Sequence, residues 1–187
     1  MYTLNMSRKK MSNNYIDNEK FFEEIKQWKA EVLRTRESGD DPPPATEYLG
    51  KCFWDIAEHL SRKSNFVNYP FREDMVGDAV ENCLMYAHNF DPDKSKNPFS
   101  YFTQITYYAF IRRIDKEKKQ NYIKYKMIDH LDHEGSVRRW FSNNFSNTEK
   151  EENDDGLADF FSLSKNDIAK FTPKKKKRKV NENSVDK

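Results

Sequence analysis

The chain has 187 residues, of which 36% are hydrophobic and 34% are charged, a length that fits one compact domain with attached tails. Its 33 basic residues nearly balance its 31 acidic residues, so the net charge by itself indicates no partner. Two cysteines exclude a disulfide scaffold, and no apolar run is long enough for a bilayer span, nor is a signal peptide visible. Only five glycines, with neither GxGxxG nor GxxxxGK, argue against a Rossmann fold, a β-barrel and a phosphate-binding loop.

Charge is distributed unevenly along the chain. Seven basic and two acidic residues lie between Ile111 and Lys126, whereas seven acidic and two basic residues lie between Glu149 and Asp167. Six consecutive positive charges follow at Lys174 to Lys179. Separated blocks of opposite sign are typical either of several charged partners or of solvated faces and tails, and the blocks alone leave both interpretations open.

Hydrophobic periodicity predicts four helices. Residues 1–14 are polar and aperiodic, so we expect them to be disordered. Apolar residues then recur at steps of three and four, and three consecutive prolines interrupt the pattern after the first helix. The predicted helices are approximately Asn18–Arg36, Thr46–Arg62, Arg72–Asn89 and Pro98–Lys119.

The fourth helix carries the most information. Asn97 is the expected N-cap, and Pro98 occupies the first helical position that proline favours. One broad side is apolar, and a second face follows the steps i, i+3, i+7 and i+11. The apolar side contains Phe99, Phe102, Ile105, Thr106, Ala109, Phe110 and Ile114, and the second face contains Tyr101, Gln104, Tyr108 and Arg112.

No stretch alternates as a strand does, and the helical period fades after Lys126. The sequence therefore predicts an all-α fold with one helical domain and a long C-terminal tail. The predicted segments are a domain at 15–126, a polar linker at 127–156, a short apolar motif at 157–163 and a basic disordered tail at 164–187.

Catalytic and metal chemistry find little support in the sequence. Asp129, His130 and His133 look like a metal cluster, but they lie where the helical period is lost and have no second set of ligands. Cys52 and Cys83 fall on apolar helix faces, where a thiol is normally a small hydrophobe. Because no arrangement of a nucleophile with a base is recognisable either, we expect no enzymatic activity, no metal and no cofactor.

Nucleic-acid binding fits the fourth helix better. Aromatic rings stack on unpaired bases, and Lys and Arg neutralise phosphates; this helix offers aromatic residues first and a basic run afterwards. The alternative is that Phe102, Tyr107 and Phe110 belong to the core and that the lysines form an ordinary solvated helix end. Composition leaves both alternatives open.

Three stretches, taken in order, resemble the central conserved region of bacterial sigma factors. The first is an acidic and apolar helix start at residues 73–76, and the second is Asn89-Phe90-Asp91-Pro92 at the end of that helix. The third is Asn97-Pro98-Phe99-Ser100-Tyr101-Phe102, which leads into the next helix. The chain is more closely similar to the late-transcription sigma factors of T-even-type bacteriophages. That similarity rests on the order and spacing of further fragments along residues 18–126. They are Trp28-Lys29, Ile56 to Ser61 followed by Asn65-Phe66, Lys96-Asn97-Pro98, Thr103-Gln104, Ala109-Phe110 and Arg113-Ile114 with Lys116-Glu117.

The resemblance implies specific contacts. Acidic residues of the third helix would dock on the clamp helices of the largest polymerase subunit, and Phe102 would stack on a flipped base of a TATA-like promoter element. The implied polymerase contacts are Asp74, Asp78 and Glu81. The implied DNA contacts are Tyr101, Phe102, Tyr107, Tyr108, Arg112, Arg113, Lys116, Lys118 and Lys119.

The chain also departs from the pattern of housekeeping sigma factors. Their tandem tryptophans fall on Ile105-Thr106 here, with Tyr107-Tyr108 two positions later, so the pair that supports the melted junction stays undecided. Their second DNA-binding domain has no counterpart in the polar C-terminal third. Late phage sigma factors lack that domain as well, which favours the narrower family.

The tail suggests a second protein partner. Residues 156–163 resemble the element by which late phage sigma factors contact the DNA polymerase sliding clamp, although that element ends the family's chains and 24 residues follow Leu163 here. Packing of this segment on its own domain is an equally good interpretation. The implied clamp contacts are Leu157, Asp159, Phe160, Phe161 and Leu163.

The expected function is therefore that of a sigma factor in the cytoplasm of a bacterial host. It would bind bacterial RNA polymerase core, direct it to TATA-like phage late promoters and assist promoter melting. The sliding clamp would act as activator, with a co-activator as an optional further partner, and we expect no membrane association. The run from Pro173 to Val180 closely resembles a nuclear localisation signal, which we interpret as a non-specific DNA-binding segment or an appended tag. The alternative function is a free-standing nuclear or nucleoid DNA-binding or scaffold protein.

Overall fold

The computed structural model describes residues 15–145 and 156–173. Within these ranges the chain forms helices and no strand, which confirms the predicted all-α class. The predicted disorder at 1–14 and the basic run at 174–179 lie outside the described residues. The helices are α1 (Asn18–Ser38), α2 (Glu47–Ser61), α3 (Arg72–Tyr86, followed by a 3₁₀ turn at Ala87–Asn89), α4 (Pro98–Leu131), α5 (Ser136–Phe145), α6 (Gly156–Phe160) and α7 (Lys165–Phe171).

The first helices begin and end at capping residues. The Asp17 side chain accepts hydrogen bonds from the first free N–H groups of α1, at 3.0 and 3.2 Å. Gly39 ends α1 with a φ of 79°, a left-handed conformation that glycine adopts without a steric penalty. The Trp28 indole donates to the carbonyl of Pro44 at 3.1 Å and so attaches the proline segment to α1. As predicted, the Asn97 side chain caps α4, accepting from the N–H of Ser100 at 3.0 Å.

The chain divides into two compact units, residues 1–113 and 114–187. We call them unit 1 and unit 2. The division falls inside α4, whereas the sequence predicts a single helical domain at 15–126. Packing partners change along α4: Phe110 is buried with its ring 5.1 Å from that of Phe66 in unit 1, whereas Tyr122 and Tyr125 belong to a separate cluster in unit 2.

The core of unit 1 is an aromatic cluster. Phe21 of α1, Phe53 of α2, Phe102 of α4 and Phe90 beyond the 3₁₀ turn are all fully buried or nearly so. The ring of Phe102 lies 4.6 Å from that of Phe53 and 5.6 Å from that of Phe21. Each such pair contributes about 0.5–1.5 kcal/mol beyond its area burial, so the cluster fixes α1, α2 and the segment after the 3₁₀ turn against α4.

Unit 2 contains helices that periodicity alone did not predict. Helix α4 extends to Leu131 rather than to Lys119, because Tyr122 and Tyr125 are buried on its inner side. The predicted linker at 127–156 contains α5, which begins where the Asp132 carboxylate accepts hydrogen bonds from the backbone N–H groups of Val137 and Arg138. These backbone hydrogen bonds, with burial acting against them, hold the pKa of Asp132 below its ordinary value.

The predicted disordered tail likewise contains a helix. Ser164 and Asp167 form a capping box at the start of α7, in which each side chain bonds to the backbone of the other residue. Ile168 and Phe171 of α7 then pack against the cluster of unit 2. This capped helix corrects the expectation of disorder for residues 164–173.

The core of unit 2 joins α4 to residues 157–163. Tyr122, Tyr125, Leu157, Ala158 and Leu163 form its buried cluster. Gly156 permits the contact between α5 and α6, because a Cβ at this position would lie 2.6 Å from the carbonyl oxygen of Phe141. In the described parts of the chain no helix combines the length and the apolar character needed to cross a bilayer.

Candidate nucleic-acid and protein interfaces

Helices α3 and α4 of unit 1 run antiparallel. Asp78 lies opposite Arg113, Asn82 opposite Arg112, and Cys83 opposite Thr106. Since positions one turn apart share a face of a helix, this register decides which side chains of the two helices meet. It also determines which of the predicted site residues face solvent.

Arg113 joins the predicted polymerase contacts to the predicted DNA contacts. Its Nη2 lies 2.9 Å from Asp74 Oδ2, its Nη1 lies 3.1 Å from Asp78 Oδ2, and its side chain is only 16% exposed. Arg113 is therefore a link between α3 and α4 in this structure, and its predicted contact with DNA stays a prediction that would compete with these ion pairs. Asp74 and Asp78 are engaged by the same guanidinium, whereas Glu81 is exposed.

The outer side of α2 and α3 presents a mixed apolar and charged surface. Trp54 is 53% exposed, and with Glu73 it lines a cavity of about 420 Å³. Arg62 and Arg72 also line this cavity, where both pair with Glu58, at 2.8 and 3.6 Å, which leaves Glu73 as its acid outside these ion pairs. Glu73, Gly77, Glu81 and Leu84 follow one another on α3 at steps of four, four and three, so they share one face. We call Trp54, Glu73, Gly77, Glu81 and Leu84 the docking face.

Of the docking face, the sequence predicted only Glu81 as a polymerase contact. Trp54 lies next to Phe53 but off the buried stripe of α2, and Leu84 is 42% exposed although it lies next to the buried Cys83. The signal was present at Trp54, because a large aromatic residue outside the buried stripe of an amphipathic helix indicates an exposed contact.

Phe102 does not lie at a surface. Its side chain has no exposed area and is surrounded by Phe21, Phe53 and Phe90. A ring in this position cannot stack on an extruded base without opening the core of unit 1. In this structure Phe102 and Phe110 belong to the core, as one of the two alternatives for this helix expected, whereas Tyr107 does not; base stacking by Phe102 stays a prediction that would require the core to open.

Exposed aromatic residues lie elsewhere on α4. Tyr107 and Tyr108 are 43% and 52% exposed, and their rings meet edge to face with centroids 5.8 Å apart. Tyr107 is supported from behind by Phe66, at 5.7 Å. Two supported, exposed tyrosines in sequence form a surface on which bases can stack.

Arg112 and Tyr86 extend this surface towards α3. The exposed Arg112 donates from Nη2 to the side-chain oxygen of Asn82 at 2.6 Å. Tyr86 lies one turn beyond Asn82, and Tyr108 lies one turn before Arg112, so the antiparallel register brings both tyrosines to the same side. Tyr86 was missed because it continues an apolar helix. We call Tyr86, Tyr107, Tyr108 and Arg112 the aromatic face.

Tyr101 and Cys83 lie beneath the aromatic face. The half-buried Tyr101 ring is 5.3 Å from that of Phe90, and burial, together with the nearby Cys83, raises the pKa of its hydroxyl. Burial also raises the pKa of Cys83 to about 11, and its sulfur lies 3.5 Å from the Thr106 hydroxyl. At neutral pH Cys83 is thus a thiol with a packing role, as its position on the helix predicts.

The predicted basic contacts of unit 2 fall into two groups. Lys116 and Lys119 are exposed, so they remain accessible to phosphates. Lys118 instead binds Asp167 of α7, with Nζ 2.9 Å from Oδ2. Burial raises the pKa of Asp167, but the hydrogen bonds from Lys118 and Ser164 outweigh burial and hold this pKa below its ordinary value. Lys118 is thus engaged within unit 2, and its predicted contact with DNA stays a prediction.

The predicted clamp motif is folded into unit 2. Leu157 and Leu163 are buried, and the Asn121 side chain donates to the carbonyl of Phe161 at 3.2 Å. Phe160 is half exposed, with its ring 4.8 Å from that of Phe141, and Asp159 is exposed. Of the two interpretations that the sequence left open, the structure shows packing on the chain's own helices, and the clamp contacts stay a prediction.

The histidine cluster shows no set of metal ligands. The rings of His130 and His133 lie 6.2 Å apart, and residues 15–145 and 156–173 contain no group of three or more His, Cys, Asp or Glu that could hold a metal ion. Comparison with known proteins adds no assignment, since no family model matches the chain and no curated protein is similar to it.

Proposed function

We propose that this protein is a non-catalytic sigma-type subunit that binds bacterial RNA polymerase core and directs it to TATA-like phage late promoters. The observation that carries the proposal is the pair of chemically different surfaces on unit 1. Trp54, Leu84 and two exposed glutamates form the docking face, and three exposed tyrosines with Arg112 form the aromatic face. A subunit that joins a protein to melted DNA needs both kinds of surface.

The docking face suits a basic protein partner. Trp54 is of the residue type that most often anchors protein interfaces, and Glu73 and Glu81 would meet basic groups and orient the partner. Asp74 and Asp78 would contribute to the potential of this region while bound to Arg113. This arrangement supports the polymerase contact that the resemblance implies, with Glu81 as an exposed acid that is not engaged by Arg113.

The aromatic face suits unpaired bases. Each stacked base contributes about 1–3 kcal/mol, whereas extruding a base from a duplex costs a few kcal/mol. Tyr107 and Tyr108 alone would thus roughly balance the cost of melting, so we expect DNA opening to need the polymerase as well. Arg112, Lys116 and Lys119 would bind the backbone phosphates.

Activation by a sliding clamp is a further part of the proposal. Phe160 is accessible in the folded state, but Leu157 and Leu163 would have to leave the core of unit 2 to reach a clamp groove. We therefore expect Phe160→Ser to weaken clamp-dependent activation and to leave basal transcription unchanged. Unaltered activation in a run-off assay would contradict a clamp contact by Phe160.

The alternative function is a free-standing DNA-binding or scaffold protein of a nucleus or nucleoid. The run of six basic residues at 174–179 favours it, because such runs bind nucleic acid without sequence preference. The two functions differ in one respect: a sigma factor recognises a promoter only together with core polymerase, whereas a free-standing binder needs no polymerase.

A promoter-binding experiment tests the proposal. A TATA-like late promoter fragment is incubated with the full chain in the presence and absence of bacterial core polymerase, and sequence-specific complexes are resolved on a gel. We expect specific complexes only with polymerase. The double variant Tyr107→Ala and Tyr108→Ala should reduce opened complexes at least about tenfold, since one lost stacking contact already has this size.

The matched control is Leu33→Ala, which changes an exposed residue on α1, away from both faces. It should open the promoter like the unsubstituted chain. Specific binding by the chain alone at equal affinity would support the free-standing binder instead.

A further inference from the structure

We propose that the exposed side of α4 in unit 2 is a docking surface for an acidic amphipathic helix of another protein. Ile123, Met127 and Leu131 are 49%, 64% and 65% exposed, and their spacing of four residues places them in one row along the helix. We call these three residues the apolar row. Neither the docking face nor the aromatic face includes it.

The apolar row is additional to the core of unit 2. The opposite side of α4 contributes Tyr122, Tyr125 and Ile128 to the buried cluster. The helix is thus apolar on two sides over this stretch, a pattern typical of helices that are covered on both sides. Single exposed aliphatic residues need no explanation, but a continuous row of three is typical of a contact surface.

The apolar row leads into a cavity at the end of α4. The cavity has a volume of about 510 Å³ and lies between the end of α4 and the start of α5. Leu131 belongs to both the row and the cavity wall, and Ile128 and Val137 add further apolar lining; Asp132, His133, Glu134 and Ser136 form the polar part of the wall. The apolar part can receive one large uncharged side chain as an anchor, whereas the acids of the partner helix would have to lie beside the lysines and away from Asp132 and Glu134.

Charge decides between the candidate occupants. Lys119, Lys124 and Lys126 flank the apolar row and are exposed, although Lys126 also binds Asp129, at 3.0 Å. A nucleic acid would satisfy the lysines but would leave three aliphatic side chains without a partner. A second copy of this chain, paired through the same face, would bring like charges together. An acidic amphipathic helix satisfies both the apolar row and the lysines.

The partner helix should carry a recognisable pattern. Leucine, isoleucine or phenylalanine at i, i+3 or i+4 and i+7 would cover the apolar row. Asp or Glu on both flanks of that stripe would face the lysines, and the last apolar residue would enter the cavity next to Leu131. The proposal does not rest on the sigma function, because the apolar row, Lys124 and Lys126 have no part in that function, and only Lys119 is shared with the proposed phosphate contacts.

The test uses the full chain and a labelled synthetic helical peptide with leucines at this spacing and glutamates on both flanks. Fluorescence anisotropy should show saturable binding of this peptide. A peptide with lysines in place of the glutamates, and a scrambled peptide of unchanged composition, should bind at least about tenfold more weakly.

Two variants locate the site. Ile123→Ser with Met127→Ser should weaken binding of the acidic peptide about tenfold or more, and Lys124→Glu should weaken it and improve binding of the lysine peptide. Leu33→Ser serves as the control, because it removes an exposed aliphatic residue from α1. All these side chains are exposed, and circular dichroism checks that helix content is unchanged.

Several outcomes would overturn the proposal. Equal binding of the acidic and lysine peptides, or full binding by the double serine variant, would show that the apolar row does not select an acidic helix. Light scattering provides a further test. If the unsubstituted chain is a dimer and the double serine variant is a monomer, the surface binds a second copy of this chain and not an acidic helix. Because the double serine variant leaves both faces of unit 1 intact, polymerase-dependent promoter binding should persist in it, which separates this test from that of the proposed function.

Discussion

The two units treat the same kinds of side chain differently. In unit 1 the aromatic side chains of α1, α2 and α4 converge on Phe102, which has no exposed area. In unit 2 the buried cluster depends on a short segment around Leu157 and Leu163, and α4 keeps an exposed apolar row. Whether an apolar residue is buried or exposed therefore depends on how many helices pack around it, and not on its type alone. The core of unit 1 supports the exposed docking and aromatic faces. The smaller core of unit 2 depends on the segment at 157–163.

The largest effect that can break this comparison is expected at Phe102. Phe102→Ala removes a fully buried ring from the centre of the aromatic cluster and should destabilise the protein by about 3–5 kcal/mol. Urea denaturation followed by circular dichroism measures the loss. Tyr107→Ala, on an exposed face of the same helix, should cost far less.

The outcome also decides the role of Phe102. If Phe102→Ala leaves stability unchanged and selectively impairs promoter opening, the ring acts at a surface and the assignment to the core is wrong. Phe102→Leu keeps most of the buried volume, so it provides a folded variant for the same promoter assay.

Phe102 also shows how far the sequence predicts this molecule. The periodicity of α4 placed Phe102 on the apolar side with Phe99 and Phe110, whereas the resemblance placed it on DNA, and the burial agrees with periodicity. Helix positions, caps and most of the core of unit 1 were predictable because they depend on local spacing. The aromatic and docking faces were predictable only in part, because Tyr86 and Trp54 become surface residues through the relative rotation of α2, α3 and α4.

Unit 2 was less predictable for a different reason. Its helices are short, and α7 depends on a capping box and on contacts with residues more than forty positions away, such as the pair Lys118 and Asp167. The polar composition of residues 127–156 and 164–173 predicted a linker and part of a tail. A small cluster needs few apolar residues, so the helices that form it leave little apolar signal in the sequence. Local patterns carry little information about a core assembled from distant segments.

A second, slightly smaller effect is expected at Leu157. Leu157→Ala should destabilise unit 2 by about 2–5 kcal/mol, the usual range for a buried leucine. Hydrogen exchange read by mass spectrometry should show faster exchange in α6, in α7 and at residues 121–128, with unit 1 unchanged. Phe160→Ala alters the half-exposed neighbour and should accelerate exchange much less. Equal acceleration in both units would show that the two cores are not independent.

A smaller loss of stability is expected at Arg113 than at the buried residues above, and its neighbour Arg112 provides the comparison. Arg113→Met should cost about 1–2 kcal/mol, because it removes charged hydrogen bonds to Asp74 and Asp78 and leaves both acids without this partner. Arg112→Met, which loses one bond to Asn82 at an exposed position, should change stability by about 0.5 kcal/mol or less. Thermal denaturation of both variants at low and high salt distinguishes them, and equal costs would contradict the linking role of Arg113.

The central claim, that unit 1 docks on bacterial core polymerase, is tested most directly by a binding titration with purified core enzyme. The variant is Trp54→Ala with Glu81→Lys, which changes the docking face and leaves Arg113, Asp74 and Asp78 paired; Leu33→Ala is the control. We predict that the unsubstituted chain and the control bind equally and that the docking-face variant binds at least about tenfold more weakly. Absence of binding by the unsubstituted chain to core enzymes from several bacterial hosts, or equal binding by the docking-face variant, would contradict the account.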